Sequence, residues 1–142
     1  MTISFTIPGV SKSTAQQKGV FVAGGRVLFF KKKNVREEES RLTKVCALHR
    51  PKLALDGAVC AKITFVFPFT KAEEKKHRAS ANVPLFTTPK TTRPDVDNCA
   101  KTLMDVLTKQ RFWVDDSQVT TLILCKRNGW TPAIHVEISE TN

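Results

Sequence analysis

No hydrophobic run in the 142-residue sequence is long enough to cross a membrane. A membrane-spanning helix needs roughly 20 consecutive apolar residues, and no stretch approaches that length. The N-terminus also lacks the basic start and apolar core of a secretory signal peptide. These absences predict a cytoplasmic protein without a membrane partner. At this length we expect one domain, residues 1–142, large enough to bury its own core.

The four cysteines are too scattered to predict a metal site or a redox pair. Cys46, Cys60, Cys99 and Cys125 include no C-x-x-C pair and have no group of histidines near them. Isolated cysteines in a reducing compartment pack as small apolar side chains. We therefore expect four buried or partly buried thiols and no zinc site.

Motifs of several common enzyme classes are missing. G-x-x-x-x-G-K-[ST], H-E-x-x-H and the nucleophile elbow do not occur, so neither nucleotide hydrolysis nor peptidase chemistry has support in the sequence. The acidic stretch D-V-D-N is not an EF-hand, because it lacks the loop glycine and a helix is expected where the loop should be. We expect no nucleotide cofactor.

Acidic residues are scarce and unevenly placed. The sequence has 13 acidic against 23 basic residues, a formal net charge of +10 and a pI near 9.8. This balance favours nucleic acid as the partner. Yet five of the six aspartates lie between Asp95 and Asp116. Carboxylates grouped this closely repel one another unless a cation lies among them, so the cluster predicts a metal-dependent site that acts on a polyanion.

Alternation of apolar and polar residues predicts four strands, and two apolar triplets of β-forming residues predict two more. They are expected at residues 2–7, 20–22, 27–29, 58–67, 119–125 and 134–138. Gly24-Gly25 between the second and third strands predicts a tight hairpin turn, because such turns need positive φ angles. Asn128-Gly129 predicts a turn between the last two strands.

Two helices are expected, one beginning near Asn34 and one spanning Pro94 to about Lys109. Asn34 followed by Glu37 predicts a capping box, and Pro51 ends this helix. In the second helix Asp97 is the expected N-cap. The order β-ββ-α-β-α-β-β predicts an α+β fold, a mixed sheet with two main helices packed on one side.

Residues 71–92 show no periodicity and are rich in lysine and arginine. Long irregular segments in compact domains are usually functional or disordered, and this one leads directly into the aspartate cluster. It is expected either to contact the partner or to form a solvated loop without a role.

Three of the clustered carboxylates could converge. Asp95 precedes the expected N-cap Asp97, and pairing of the strand after Asp115-Asp116 could return one of these residues to the same helix end. Three such carboxylates suit Mg²⁺, which prefers carboxylate oxygens, waters and substrate phosphate. Lys101 lies one turn after Asp97, where its ammonium could hold a scissile phosphate. Taken singly, each aspartate could instead cap a helix or make a turn.

Two motifs, R-P-D-V-D-N-C-A-K-T-L-M-D-V-L and F-W-V-D-D-S-Q-V, give the chain a family resemblance. From Arg93 to Val119 it closely resembles the RusA family of Holliday junction resolvases, whose signature is P-D-x-D-N-x-x-K followed by D-D-x-Q-V. The resemblance implies a homodimeric, magnesium-dependent endonuclease that nicks four-way DNA junctions symmetrically. It also implies three aspartates that bind metal and are catalytic together with a lysine: Asp95, Asp97, Asp116 and Lys101. Asp105 and Asp115 occupy recurring motif positions and are expected to support the structure of the site rather than to bind the metal.

Basic residues that precede the cluster in the sequence are the expected contacts to DNA phosphates, which would make affinity fall with salt. The candidates are Lys31, Lys32, Lys33, Lys75, Lys76, Arg78, Lys90 and Arg93. Because a junction has near two-fold symmetry, a homodimer would offer it two equivalent sites.

Three hypotheses follow from the sequence. The first is a junction-resolving endonuclease of RusA type. The second is a different metal-dependent nuclease that uses the same acids on other branched DNA or RNA. The third is a non-catalytic nucleic-acid-binding module, in which the aspartates only cap and turn.

Overall fold

The computed structural model describes residues 1–12, 18–78 and 86–141 of the protein. The strands within these ranges are β1 (Thr2–Pro8), β2 (Lys18–Ala23), β3 (Arg26–Lys31), β4 (Ala58–Pro68), β5 (Thr87–Pro89), β6 (Val119–Gly129) and β7 (Ala133–Thr141). The helices within them are α1 (Lys33–His49), α2 (Lys71–His77) and α3 (Val96–Lys109), with a 3₁₀ turn at Asp116–Gln118.

Five of the strands form one mixed sheet, in the order β1-β7-β4-β6-β5. The central strand β4 runs parallel to β6 and antiparallel to β7. The edge strands β1 and β5 pair antiparallel with β7 and β6, and β5 reaches only Arg127 to Gly129 of β6. The α+β fold with a mixed sheet was correctly predicted from the alternation of apolar residues.

The hydrophobic core lies between one face of this sheet and the two longer helices. In β4, the side chains of Val59, Ala61, Ile63 and Phe65 are fully buried, whereas Lys62 between them is exposed. The helical side and the segment after α3 contribute Leu42, Cys46, Leu103, Leu107, Phe112 and Trp113 to the core. Burial of each large apolar side chain contributes about 1.5–3 kcal/mol. No helix in the described ranges is long and apolar enough to span a membrane.

Both predicted helix N-caps were wrong by two residues. α1 begins after Lys32, whose carbonyl oxygen accepts from the amides of Val35 and Arg36, and Asn34 lies inside the helix. α3 begins after Asp95, which takes the extended N-cap conformation, so Asp97 falls in the first turn. Neither Lys32 nor Asp95 makes a side-chain capping bond. Backbone conformation, rather than a capping side chain, therefore sets where both helices begin.

The basic segment 71–92 contains more regular structure than its sequence predicted. Thr70 and Glu73 form a capping box at the start of α2, and Thr87–Pro89 forms β5 against β6. A capped helix of seven residues and a strand of three residues are too short to give a periodic signal. Residues 79–85 of this segment lie outside the described ranges.

Gly129 continues β6 and does not form the turn expected at Asn128-Gly129. It pairs with Pro68 of β4 and Thr87 of β5, and the chain turns only afterwards, before β7. A Cβ at this position would lie 2.9 Å from Cγ1 of Val66. The glycine is thus required by close packing between strands rather than by turn geometry.

The hairpin of β2 and β3 turns at Gly24 and Gly25, as the sequence predicted, with φ angles of 57° and 75°. One face of this two-stranded sheet carries Val20, Val22, Val27 and Phe29, all exposed. The hairpin therefore extends apolar surface away from the core.

A buried carboxylate ties α1 to the end of β1. Glu38 is 2% exposed and accepts from Nε of Arg41 at 2.6 Å and from the backbone amide of Lys12 at 2.7 Å. Arg41 in turn donates to the carbonyl oxygens of Pro8 and Val10 at 2.8 and 3.1 Å. Buried charges need such partners to offset desolvation, so this network fixes the start of α1 against the sheet.

The cysteines are free thiols, as expected. Cys46 and Cys99 are buried, and Cys60 and Cys125 are half-buried. Burial raises the pKa of the Cys46 thiol to about 12 and raises that of Cys99 as well. Both buried thiols therefore stay protonated and pack as small apolar groups.

Candidate active site

A groove of about 480 Å³ lies between α3 and β6 and contains acidic and apolar side chains. Its polar lining is Asp97, Lys101, Asp105 and Asp116, and its apolar lining is Ala100, Met104, Val119, Leu122 and Leu124. Four of the charged residues in the two sequence motifs therefore share one concave surface. Such a groove, open to solvent and floored by apolar residues, is a common form of binding site.

Helix periodicity brings three of these side chains together. Asp97, Lys101 and Asp105 are spaced four residues apart and are all exposed, so they form one stripe along α3. The opposite face carries Leu103 and Leu107, which are buried in the core. Among the described residues, the ammonium of Lys101 forms no salt bridge within 4.0 Å, so its three donors can reach a phosphate.

Asp116 reaches the groove from the 3₁₀ turn that follows α3. Its neighbour Asp115 caps this turn, with Oδ1 accepting from the amide of Ser117 at 2.9 Å. The hydrogen bond from the Ser117 amide, followed by side-chain hydrogen bonds with Ser117 and Asp116, lowers the pKa of Asp115. The two adjacent aspartates therefore differ in position, since Asp115 holds the turn and Asp116 lines the groove.

Gln118 fixes this turn to the beginning of the central strand. Its Oε1 accepts from the amides of Val114 and Asp115 at 2.8 and 2.9 Å. Its Nε2 donates to the carbonyl oxygens of Leu55 and Gly57, both at 2.9 Å. In the sequence, Gln118 was noted only as part of the D-D-x-Q-V motif, and no role was assigned to it. Its fixed spacing from Asp115 and Asp116 was the signal that could have linked it to the same turn.

Asp95 does not line the groove with the other predicted ligands. It occupies the N-cap of α3, and its carbonyl oxygen accepts from the amide of Cys99 at 3.2 Å.

The segment before Asp95 is held by Lys126 of β6, a residue to which the sequence analysis assigned no role. Nζ of Lys126 donates to the carbonyl oxygens of Thr92 and Pro94, both at 2.7 Å. The sequence does contain a signal for this role. Alternation along β6 places Leu122 and Leu124 on one face of the strand, and Lys126 stands where the next apolar residue of that face would be expected.

The groove carboxylates match the chemistry of a hard divalent cation. Within the described residues, no three His, Cys, Asp or Glu side chains lie close enough to hold a metal ion together. Magnesium does not require such a cage, because it is usually bound through one or two carboxylates, several waters and substrate phosphate. Asp97 and Asp116 supply two exposed carboxylates to the lining of the same groove.

The predicted DNA contacts are spread over several elements. Lys75, Lys76 and Arg78 are exposed at the end of α2, and Arg93 is exposed before α3. Lys33 forms a 3.9 Å salt bridge with Glu37, and Lys32 is half-buried. Lys90 donates to Oγ1 of Thr92 at 2.8 Å and lies over the ring of Phe67 at 5.0 Å from its centroid. The side chain of Lys31 lies outside the described part of the chain.

Comparison with known proteins gives a family match over most of the chain. Residues 8–139 match the sequence model of the family described as "Endodeoxyribonuclease RusA". Over 130 residues the chain is 30% identical to "Crossover junction endodeoxyribonuclease rusA" of Lactococcus phage r1t, covering 90% of this chain and 89% of the phage protein. It is also 28% identical over 142 residues to "Uncharacterized protein YqaN" of Bacillus subtilis (strain 168), covering 99% and 97% of the two chains. Because the family match extends far beyond the two motifs, the chain belongs to the endodeoxyribonuclease RusA family.

Proposed function

We propose that the protein is a magnesium-dependent endonuclease that resolves Holliday junctions by paired, symmetric nicks in the cytoplasm. The observation that carries the proposal is the shared groove of Asp97, Asp116 and Lys101 in a RusA-family chain. The relative named a crossover junction endodeoxyribonuclease supports four-way DNA as the substrate. The strongly basic composition agrees with a polyanionic substrate.

In the proposed mechanism, Asp97 and Asp116 would hold the metal ion from the groove, and Asp95, which lies outside the groove at the start of α3, would join them only when the metal binds. Bound there, Mg²⁺ would acidify a water and shield the charge that develops on the phosphate. Lys101 donates to a non-bridging oxygen of the scissile phosphate and stabilises the pentacovalent transition state.

In the proposal, DNA is held by exposed basic side chains outside the groove. The lysines and arginine at the end of α2 and Arg93 before α3 would contact its phosphates. Such contacts release counterions from the DNA, so binding weakens as salt rises. The proposed assembly is a homodimer, which would present two equivalent grooves to the two strands that are cut.

One experiment separates this function from its alternatives. The purified protein is incubated with labelled four-way, forked and linear DNA, and with branched RNA, with and without Mg²⁺. Paired nicks on the four-way substrate alone, dependent on Mg²⁺, are the expected result. Cleavage of all branched substrates would favour a broader nuclease. Binding without cleavage at any Mg²⁺ concentration would overturn the proposal and leave a nucleic-acid-binding module.

A further inference from the structure

Lys126 lies on β6 where an apolar side chain would normally be found. Its neighbour in β4 is Phe65, which is fully buried, and Leu122 and Leu124 precede it on the same strand face. An ammonium on this face costs free energy unless it reaches hydrogen-bond partners. The side chain of Lys126 is half-buried, so its stem packs on the sheet while its end extends beyond the core.

The partners of this ammonium are backbone carbonyls just before α3. Nζ donates to the oxygens of Thr92 and Pro94, both at 2.7 Å. Hydrogen bonds from a charged donor at this distance are roughly twice as strong as neutral ones. The backbone amide of Lys90 also donates to the carbonyl oxygen of Lys126 at 3.2 Å. One strand position therefore fixes the segment from Lys90 to Pro94 at several points.

The carbonyl of Pro94 belongs to the peptide unit that leads into Asp95. Asp95 is the N-cap of α3 and makes no side-chain capping bond. Its own carbonyl oxygen accepts the first helical hydrogen bond, from Cys99. Because a peptide unit is planar, fixing the Pro94 carbonyl also fixes the amide of Asp95 and the direction in which the first turn, with Asp97, begins.

We propose that Lys126 is a positioning residue for the cleavage reaction. It holds the start of α3 and thereby sets the placement of Asp95 and Asp97, while touching neither the scissile phosphate nor the metal. This inference rests on the proposed function, in which these aspartates hold the metal ion. A small displacement of a catalytic group is sufficient to lower the rate by about 10²-fold.

Three variants test the proposal. Lys126→Met has similar length without a donor, and Lys126→Arg retains two donors that can reach both carbonyls. Lys62→Met is the matched control, because Lys62 is an exposed lysine on the neighbouring strand β4 and its loss changes the net charge equally. Each variant is compared with wild-type protein in single-turnover junction cleavage, in junction binding without Mg²⁺, and in Mn²⁺ titration without DNA.

Amide hydrogen exchange at the start of α3 provides a readout that does not depend on activity. For Lys126→Met we expect faster exchange at Cys99 and its helical neighbours, weaker Mn²⁺ binding, and cleavage slowed about 10²-fold. Junction binding should remain close to wild type. Lys126→Arg should restore protection and most of the rate, and Lys62→Met should change neither.

Each possible result for these variants either supports or overturns the positioning role of Lys126. Wild-type exchange and cleavage in Lys126→Met would overturn the proposal, as would an equal loss of rate in Lys62→Met. If Lys126→Met does not fold, Lys126→Gln, which retains one neutral donor, should show intermediate exchange and rate. If the wild-type protein cleaves no junction, the proposed function fails, whereas the exchange comparison still decides whether Lys126 fixes the helix start.

Discussion

The side-chain amide of Gln118 donates a 2.9 Å hydrogen bond to the carbonyl oxygen of Leu55. This bond connects the turn that contains Asp115 and Asp116 to the segment just before the central strand β4. The same nitrogen donates to Gly57, and the amide oxygen accepts from Val114 and Asp115. All four hydrogen-bonding positions of the amide are thus satisfied. Asp115 caps the turn that presents Asp116 from within, and the single side chain of Gln118 attaches this turn to the segment before β4.

Replacing Gln118 with glutamate should destabilise the protein. The carboxylate keeps both accepted bonds but places an oxygen against the carbonyls of Leu55 and Gly57, and it adds charge beside Asp115 and Asp116. The expected loss in unfolding free energy is about 2–3 kcal/mol, measured by urea denaturation at neutral pH. Gln110→Glu is the control, because the Gln110 side chain makes no hydrogen bond within the described ranges. Equal stability of the two variants would contradict the anchoring role.

Asp116→Asn should abolish junction cleavage, whereas Asp115→Asn should not. Both substitutions remove one negative charge at neighbouring positions, but only Asp116 lines the groove. An asparagine at 115 can still accept from the Ser117 amide, so the turn is retained. Asp97→Asn should behave like Asp116→Asn, with rates reduced by more than about 100-fold and junction binding retained. The check is single-turnover cleavage beside a gel-shift titration, and full activity of Asp116→Asn would exclude it as a ligand.

The fold was predictable where a single segment determines its own structure. Alternation in β1 and β4, glycine in the β2–β3 hairpin and the apolar stripe of α3 each have a local cause. The short helix α2 and the short strand β5 were missed because neither is long enough to show a period. Their stability comes from the Thr70 cap and from pairing with β6, and pairing partners are not visible in local sequence.

For the candidate site, too, the sequence was sufficient only where spacing within one element determines which side chains lie together. Asp97, Lys101 and Asp105 share a helix face because of their spacing, so sequence was sufficient to group them. The roles of Gln118 and Lys126 depend on strand register, which places them opposite Leu55 and the segment before α3. A one-residue shift would turn Lys126 to the other face of the sheet. Register is set by packing of the whole sheet, so these roles required the structure.

Lys101→Ala should reduce turnover much more than junction affinity. Its ammonium lies in the groove with Asp97 and Asp116, where it would stabilise charge that develops only during cleavage. We expect the single-turnover rate to fall about 10²–10³-fold, with the dissociation constant nearly unchanged. Lys109→Ala, an exposed lysine at the end of the same helix, controls for the loss of charge. An unchanged rate in Lys101→Ala would remove Lys101 from the chemistry.

Reversing two charges on α2 should weaken junction binding in a salt-dependent way. Lys75 and Lys76 are exposed, and each phosphate contact contributes about 0.9 to the slope of log affinity against log salt. The variant Lys75→Glu/Lys76→Glu should therefore lose affinity and show a slope reduced by about 2. Lys44→Glu/Lys52→Glu changes the net charge equally at exposed lysines outside the candidate set. Indistinguishable slopes for the two variants would show that α2 makes no specific contact with DNA.

Cys46 should make the protein less stable at alkaline pH. Burial raises the pKa of its thiol from 9.0 to about 12, so the unfolded chain loses this proton at lower pH than the folded protein. The stabilising contribution is therefore fully present below pH 9 and is lost as pH rises toward 12. Cys46→Ala cannot ionise at this position, and its cavity should make it less stable at pH 7. The difference in unfolding free energy between the two proteins should narrow steadily above pH 9, measured by urea denaturation under reducing conditions. A constant difference across this range would mean that the Cys46 thiol ionises equally in the folded and unfolded states.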